Sequence, residues 1–259
     1  MSLVPENIPA LATEFAEKPP QAILELALRS YSRGQIAISF SGAEDVVLID
    51  MATKIDPQVR VFTLDTGRLH TETYEFLERV RNHYGIPVEV YFPQVEAVQR
   101  LVAQKGFFSF YHDGHKECCD IRKVEPLKRA LRTVNAWVTG QRKDQSPGTR
   151  AQVPVIQIDP TFRSESGVLV KFNPLATWSS SQVFEYIRAN DVPVNELHRT
   201  LVNAGGDYQT LNIPAYISIG CQPCTTVLLP GEHERAARWR WEESTKKECG
   251  LHAGNIAQP

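Results

Sequence analysis

The sequence predicts an α/β protein: a mainly parallel sheet with helices on both faces, followed by a mobile C-terminal tail. Three observations predict it. Short β-branched and aromatic runs alternate with helical periodicities at βαβ spacing. Two of those runs end in small-residue turns, as strands that feed a ligand crevice do. The chain has 259 residues, 42% of them hydrophobic, enough to bury a core without a disulfide framework.

Residues 1–18 read as a loose lead-in with one short helical stretch. Pro19-Pro20 opens a helix whose Ile23, Leu24, Ala27, Leu28 and Tyr31 share one face, with Gly34 as its stop. Residues 35–40 form the first strand, followed by a turn and a helical run from Val46 to Lys54. Arg60 to Leu64 is the second strand, His70 to Tyr84 a helix, Val88 to Phe92 the third strand and Val95 to Gln104 a helix. Ala136 to Thr139 is the fourth strand, and a polar loop runs from Gly140 to Arg150. Val153–Ile158 and Val168–Phe172 read as a hairpin or paired edge strands, and Ser179 to Ala189 as a capped helix. The chain thus divides into a helical lead-in (1–34), a core (35–225) and a C-terminal segment (226–259).

A formal charge of −2 argues against a nucleic-acid partner. No run approaches the ~20 apolar residues of a spanning helix, so no membrane is expected. The first residues lack a basic stretch followed by an apolar one, and the five cysteines suit a reducing cytoplasm.

The turn Ser39-Phe40-Ser41-Gly42-Ala43-Glu44-Asp45 lies between strand and helix. There Ser39, Ser41 and Gly42 let backbone approach an anion at a helix N-terminus. A routine βα turn is the competing reading. Neither a Walker loop nor a dinucleotide fingerprint is present. Leu64-Asp65-Thr66-Gly67-Arg68 offers a second such turn beside it.

Cys118-Cys119 are adjacent, and Cys221-Gln222-Pro223-Cys224 is a C-x-x-C. Four thiolates suit tetrahedral zinc or an iron–sulfur cluster. Adjacent side chains converge poorly on one small ion, which favours a cluster; four buried free thiols remain the third reading. Lys123 falls one helical turn after Cys119, beside any metal centre. Cys249 has no partner among the pairs and sits near two lysines, a glycine and His252, a setting that favours the thiolate. An incidental surface thiol is the alternative. Arg235 and Arg238 share a helical face at i, i+3, and Arg142, Lys143 and Arg150 add cations suited to phosphate or sulfate.

Together these motifs resemble the assimilatory sulfonucleotide reductases, specifically the adenylyl-sulfate (APS) reductases of the bacterial iron–sulfur type. The resemblance covers about residues 35–254. It also rests on Gly140-Gln141-Arg142-Lys143-Asp144-Gln145 and Glu248-Cys249-Gly250-Leu251-His252. It implies an adenine nucleotide α-hydrolase-like fold, and a 4Fe–4S cluster on Cys118, Cys119, Cys221 and Cys224. It implies that Cys249 attacks the sulfur of adenosine 5′-phosphosulfate, leaving a thiosulfonate that thioredoxin discharges as sulfite. Lys123, Arg142, Arg150, Arg235, Arg238 and His252 fall where the family holds the phosphosulfate or the tail; Leu64 and Gly140 fall where it meets the adenosine. Lys123 and His252 join Cys249 as the implied catalytic set. Oligomeric state stays open, a homo-oligomer included. The chain departs from the pattern at Thr226, where relatives often carry arginine, and at Trp239-Arg240-Trp241, where many carry three tryptophans.

Two rivals differ in substrate: the 3′-phosphorylated nucleotide (PAPS), or ATP in a sulfur-transfer enzyme on the same fold. The ATP reading predicts an S-G-G-x-D-S loop, which is absent. A non-catalytic iron–sulfur sensor leaves Cys249 and the nucleotide loop unexplained.

Overall fold

Six strands, β1 (Ile36–Ser39), β2 (Val61–Leu64), β3 (Val88–Tyr91), β4 (Ala136–Val138), β5 (Ile156–Ile158) and β6 (Val170–Phe172), form one sheet in the order β3-β2-β1-β4-β6-β5. The computed structural model describes residues 3–146, 149–242 and 251. Neighbours are parallel except β5, which closes one edge antiparallel to β6 through Ile156↔Phe172 and Ile158↔Val170. The expected pairing of 153–158 with 168–172 is therefore an antiparallel edge, while β6 itself runs parallel to β4.

Helices cover both faces, so the central strands are apolar on both sides. Ile36, Ile38, Val61, Ala136 and Val138 join one core; Ala37, Phe62 and Trp137, alternating with them, join the other. The first core is packed by α2 (Pro20–Ser30), α3 (Ala43–Thr53), α4 (Thr71–Tyr84) and α8 (Ser180–Ala189); α1 (Ile8–Glu14) adds Ile8. The lead-in thus contributes Ile8, Ile23, Leu24 and Ala27 to the main core. The second core is packed by Leu127, Ala130 and Leu131 of α7 (Glu125–Arg132).

Local rules explain most boundaries. Gly85, at φ 63°, terminates α4 in the left-handed conformation. Ser179 and Gln182 form a reciprocal capping box at α8, with Gln182 N–H donating to Ser179 Oγ (3.2 Å) and Ser179 N–H to Gln182 Oε1 (2.8 Å). Two expectations are corrected. Helix α2 ends at Ser30 because Tyr31 is extended, so Gly34 is not its stop. Helix α3 begins at Ala43 rather than Val46, because the Asp45 carboxylate caps its first turn. The short helices α5 (Val95–Lys105), α6 (Lys116–Cys119) and α9 (Arg199–Asn203) complete the set. Among the described residues no helix is long and apolar enough to cross a membrane.

Candidate active site

In an open α/β sheet, ligands bind beyond the strand carboxyl ends where strand order reverses. Here that point lies between β1, whose chain continues to β2, and β4 on its other side. The larger cavity sits there, walled by Ser39–Asp45 after β1, Thr63 and Leu64 of β2, and Thr139, Gly140 and Gln141 after β4. Gly140 has a steric reason: a Cβ there would meet Glu44 Cβ at 2.5 Å and Asp45 Oδ1 at 2.7 Å.

Ser39, Ser41, Gly42, Leu64 and Gly140 all line this pocket, but the turn's donors are already used. Asp45 Oδ2 accepts from Ser41 N–H (2.8 Å), Ser41 Oγ (2.8 Å) and Gly42 N–H (3.0 Å), and its Oδ1 accepts from Gly140 N–H (2.9 Å). Burial pushes Asp45 up to about 6 despite those hydrogen bonds. An anionic ligand must therefore be met by side-chain cations.

Lys123, Arg150, Arg235 and Arg238 line the same pocket. Arg235 reaches it from a turn and Arg238 from an isolated antiparallel bridge to Thr225, not from a shared helical face as expected. Arg238 is 5% exposed, donates from Nε to the Cys224 carbonyl (3.3 Å), and keeps a buried Nη2 without a hydrogen-bond partner. Buried donors are rarely left so, and an anion in the pocket would satisfy it. A Cβ at position 220 would fall 2.1 Å from that Nη2, so any side chain there would displace the Arg238 guanidinium from its present position.

Arg142 does not line the pocket, contrary to its expected place on the substrate. It is 1% exposed and held by three carboxylates, Glu44, Asp144 and Glu234. One guanidinium cannot neutralise three. Burial, with Glu44 and Asp144 nearby, pushes Glu234 up to about 7. Burial also works against Glu44, but Arg142 and the surrounding hydrogen bonds outweigh it and hold that carboxyl below its usual range.

A second, smaller cavity is lined by Cys118, Cys119, Cys221 and Cys224, with Arg68, Phe110, His115, Arg122 and Lys123. None of the four is in a disulfide. The adjacent pair ends α6, and the chain continues through a π-helical turn, Asp120–Val124, into α7. Such turns often sit at functional sites because they re-aim side chains. Here Lys123 lines both cavities. Thr66 Oγ1 lies 3.2 Å from Cys221 Sγ. Burial opposes ionisation of Cys221, but Lys123, Thr66, Arg238 and Arg122 outweigh it and lower its pKa; burial pushes Cys224 up to about 12. Phe110 and Trp239 pack beside the thiols, and Trp241 packs against that group.

The residues fit an anionic, multi-sulfur group. Arg68 Nη1 and Arg122 Nε, from two residues lining the thiol cavity, are buried without partners.

Cys249 and His252 lie outside the described residues. Leu251, between them, lines the larger pocket and packs against the second core. Sequence reasoning missed Gln141, Gln145, His198 and Glu234 on the pocket wall. The two glutamines stood in a quoted motif, but a loop has no periodicity to say which side chains turn inward. His198 and Glu234 carried no signal.

The two departures from the pattern meet each other. Arg240 Nε donates to Thr226 Oγ1 (2.7 Å), and its Nη2 to the Val227 carbonyl (2.7 Å). A guanidinium from position 240 thus reaches position 226.

The family model for the phosphoadenosine phosphosulfate reductase domain matches residues 35–227. Adenosine 5′-phosphosulfate reductase of Pseudomonas aeruginosa (strain LESB58) is 54% identical over 252 residues, 97% of this chain and 89% of its own length. The chloroplastic 5′-adenylylsulfate reductase 1 of Arabidopsis thaliana is 52% identical over 256 residues, 98% of this chain and 52% of its own length. Among solved structures, phosphoadenylyl-sulfate (PAPS) reductase from Candida auris, a phosphate complex, aligns with a TM-score of 0.66 at 30% identity, covering 87% of this chain and 99% of that one. With a strand-end pocket rimmed by cations beside four clustered thiols, the chain belongs to the phosphoadenosine phosphosulfate reductase domain family.

Proposed function

We propose that this protein reduces adenosine 5′-phosphosulfate to sulfite and AMP in sulfate assimilation. The observation that carries the reading is Lys123, shared by a cation-rimmed nucleotide pocket and a four-thiol cavity. The 54% identity to a protein named for that reaction supports it. PAPS is the weaker substrate reading, because the relatives above 50% identity are named for adenosine 5′-phosphosulfate, whereas the PAPS reductase structure is 30% identical.

The thiolate of Cys249 attacks the sulfur of the sulfuryl group. An S–S bond forms, the S–O bond to the phosphate breaks, and AMP leaves with the electron pair. Lys123, Arg150, Arg235 and Arg238 stabilise charge on the sulfuryl and phosphate oxygens as the bond breaks. A reduced dithiol protein, thioredoxin, then attacks Cys249 Sγ and expels sulfite; its second thiol closes the disulfide and returns the Cys249 thiol. The dithiol supplies both electrons.

Cys118, Cys119, Cys221 and Cys224 are the ligands proposed for a 4Fe–4S cluster. When bound, the cluster supplies a fixed charge and a rigid anchor beside Lys123. The absence of a disulfide among the four described cysteines is compatible with a reducing cytoplasm.

The test uses wild type with adenosine 5′-phosphosulfate and no reductant. One equivalent of AMP is expected, with a sulfite unit added to the Cys249 peptide and removed by reduced thioredoxin. Cys249→Ser is expected to keep its iron and release no AMP. An adduct on Cys221 or Cys224, or turnover by the serine variant, rejects the mechanism.

A further inference from the structure

Arg142 and Glu234 have no place in the reaction above, yet both are among the most buried charges in the molecule. We propose that they form a positioning lock that aims Arg235 and Arg150 at the anionic end of the pocket without Arg142 touching the nucleotide. The inference rests on reading the pocket as a nucleotide 5′-anion site.

The guanidinium of Arg142 gathers three segments. Its Nε donates to Glu44 Oε1 (3.0 Å) at the start of α3, its Nη2 to Glu234 Oε2 (2.8 Å), and its Nη1 meets Asp144. Each segment supplies a wall of the pocket. Glu234 immediately precedes Arg235. The far end of that turn is tied separately: Thr226 N–H donates to the Ala237 carbonyl (3.1 Å) and Trp239 N–H to the Cys224 carbonyl (3.2 Å). The segment bearing Arg235 and Arg238 is thus clamped at both ends, by the Arg142–Glu234 pair and by the C-x-x-C backbone.

Arg150 hangs on the same hub. Gln145 Nε2 donates to Glu44 Oε1 (2.9 Å), while its Oε1 accepts from Arg142 N–H (3.2 Å) and Arg150 Nη1 (2.5 Å). Buried charge networks of this kind are weak sources of stability, and their best-attested use is to fix geometry. A forked, planar guanidinium serves three partners at once, which an ammonium does not.

The test is Glu234→Ala, read by calorimetry with AMP, adenosine 5′-phosphosulfate and uncharged adenosine, and by thermal melting. Both anionic nucleotides are expected to weaken about 10- to 100-fold, and adenosine by less than about twofold. KM for the phosphosulfate is expected to rise by the same factor, with a smaller change in kcat. Glu234→Gln, which can still accept the Arg142 hydrogen bond, is expected to recover to within about threefold of wild type. Should the alanine variant fail to fold, Arg142→Lys is read in the same comparison. Equal weakening of adenosine and AMP, or unchanged affinity for both anions in a folded variant, overturns the lock alone. A wild type that binds neither anion overturns the functional reading and the lock with it.

Discussion

On the proposed mechanism Lys123 is the residue whose replacement is most informative, because it borders both the strand-end pocket and the thiol cavity. Truncating it to alanine is expected to leave iron content intact and to lower turnover by about 10²–10³, the usual effect of one lost electrostatic contact in a dry site. A rate within threefold of wild type, measured by sulfite release, would return it to a structural role. Two carboxyls nearby make stability depend on pH. Burial pushes Asp45 up to about 6 and Glu234 up to about 7. A carboxyl with a raised folded-state pKa holds its proton more tightly folded than unfolded. Its contribution is complete below the ordinary range near ~4 and is lost as pH rises through the raised value. The melting temperature is therefore expected to fall between about pH 5 and about pH 7.5, and Glu234→Gln to flatten part of that slope. Parallel profiles for the two proteins would refute the assignment to Glu234.

At the scale of elements, legibility followed periodicity. The strands β1, β2, β3 and β4, and helices α4 and α8, announce themselves through alternation, caps and glycine, because those signals are local. The turn 234–237 and the π-helical turn do not. Arg235 and Arg238 have helical spacing, but the chain there is held by Ala237 and Trp239 bonding to the C-x-x-C segment, so tertiary contacts override spacing. The π turn at Asp120–Val124 lies within an otherwise helical stretch, and nothing in its residue types marks one residue too many per turn. Site residues divide the same way. Cysteines and glycines stand out by identity, whereas Arg142 looks like any anion-binding arginine until its three carboxylates are seen. The α6–π–α7 element also makes a prediction. Cys118 is half-buried and Cys119 buried, and both face one cavity only because α6 ends where it does. Cys119→Ser is expected to lose iron, acid-labile sulfide and activity together. Retention of full iron by the folded variant, or stoichiometric zinc without sulfide in the wild type, would reject the cluster.

At the scale of the whole molecule, the sheet and the thiol site are separately packed. The two cores built on the strands contain none of the four cysteines; the thiols pack instead with Phe110 and Trp239. Among the described residues, the thiols and their immediate neighbours are hydrogen-bonded to the turn after β2 by Thr66 to Cys221, Arg122 Nη1 to the Thr66 carbonyl and Gln222 N–H to the Arg68 carbonyl, whereas the flanking chain joins the first core through Ile217, Leu228 and Ala237 and meets Arg142 through Glu234. Stability is not uniform in such an arrangement, and sub-global opening follows the boundaries between cores. On the proposed cluster reading, removing iron with a chelator is therefore expected to deprotect amides in residues 109–124 and 219–226 while those of β1, β2 and β4 stay protected, read by hydrogen exchange and mass spectrometry. The nucleotide pocket stands across that boundary. Its strand-end wall belongs to the sheet, but Gly220 belongs to the segment that would loosen, and Arg238 is held by the Cys224 carbonyl within that segment. The stripped protein is thus expected to keep a secondary-structure signal close to wild type and to lose affinity for AMP. Uniform deprotection of the sheet would mean that the thiol site supports the whole fold. Unchanged AMP affinity would mean that the cations are held without it.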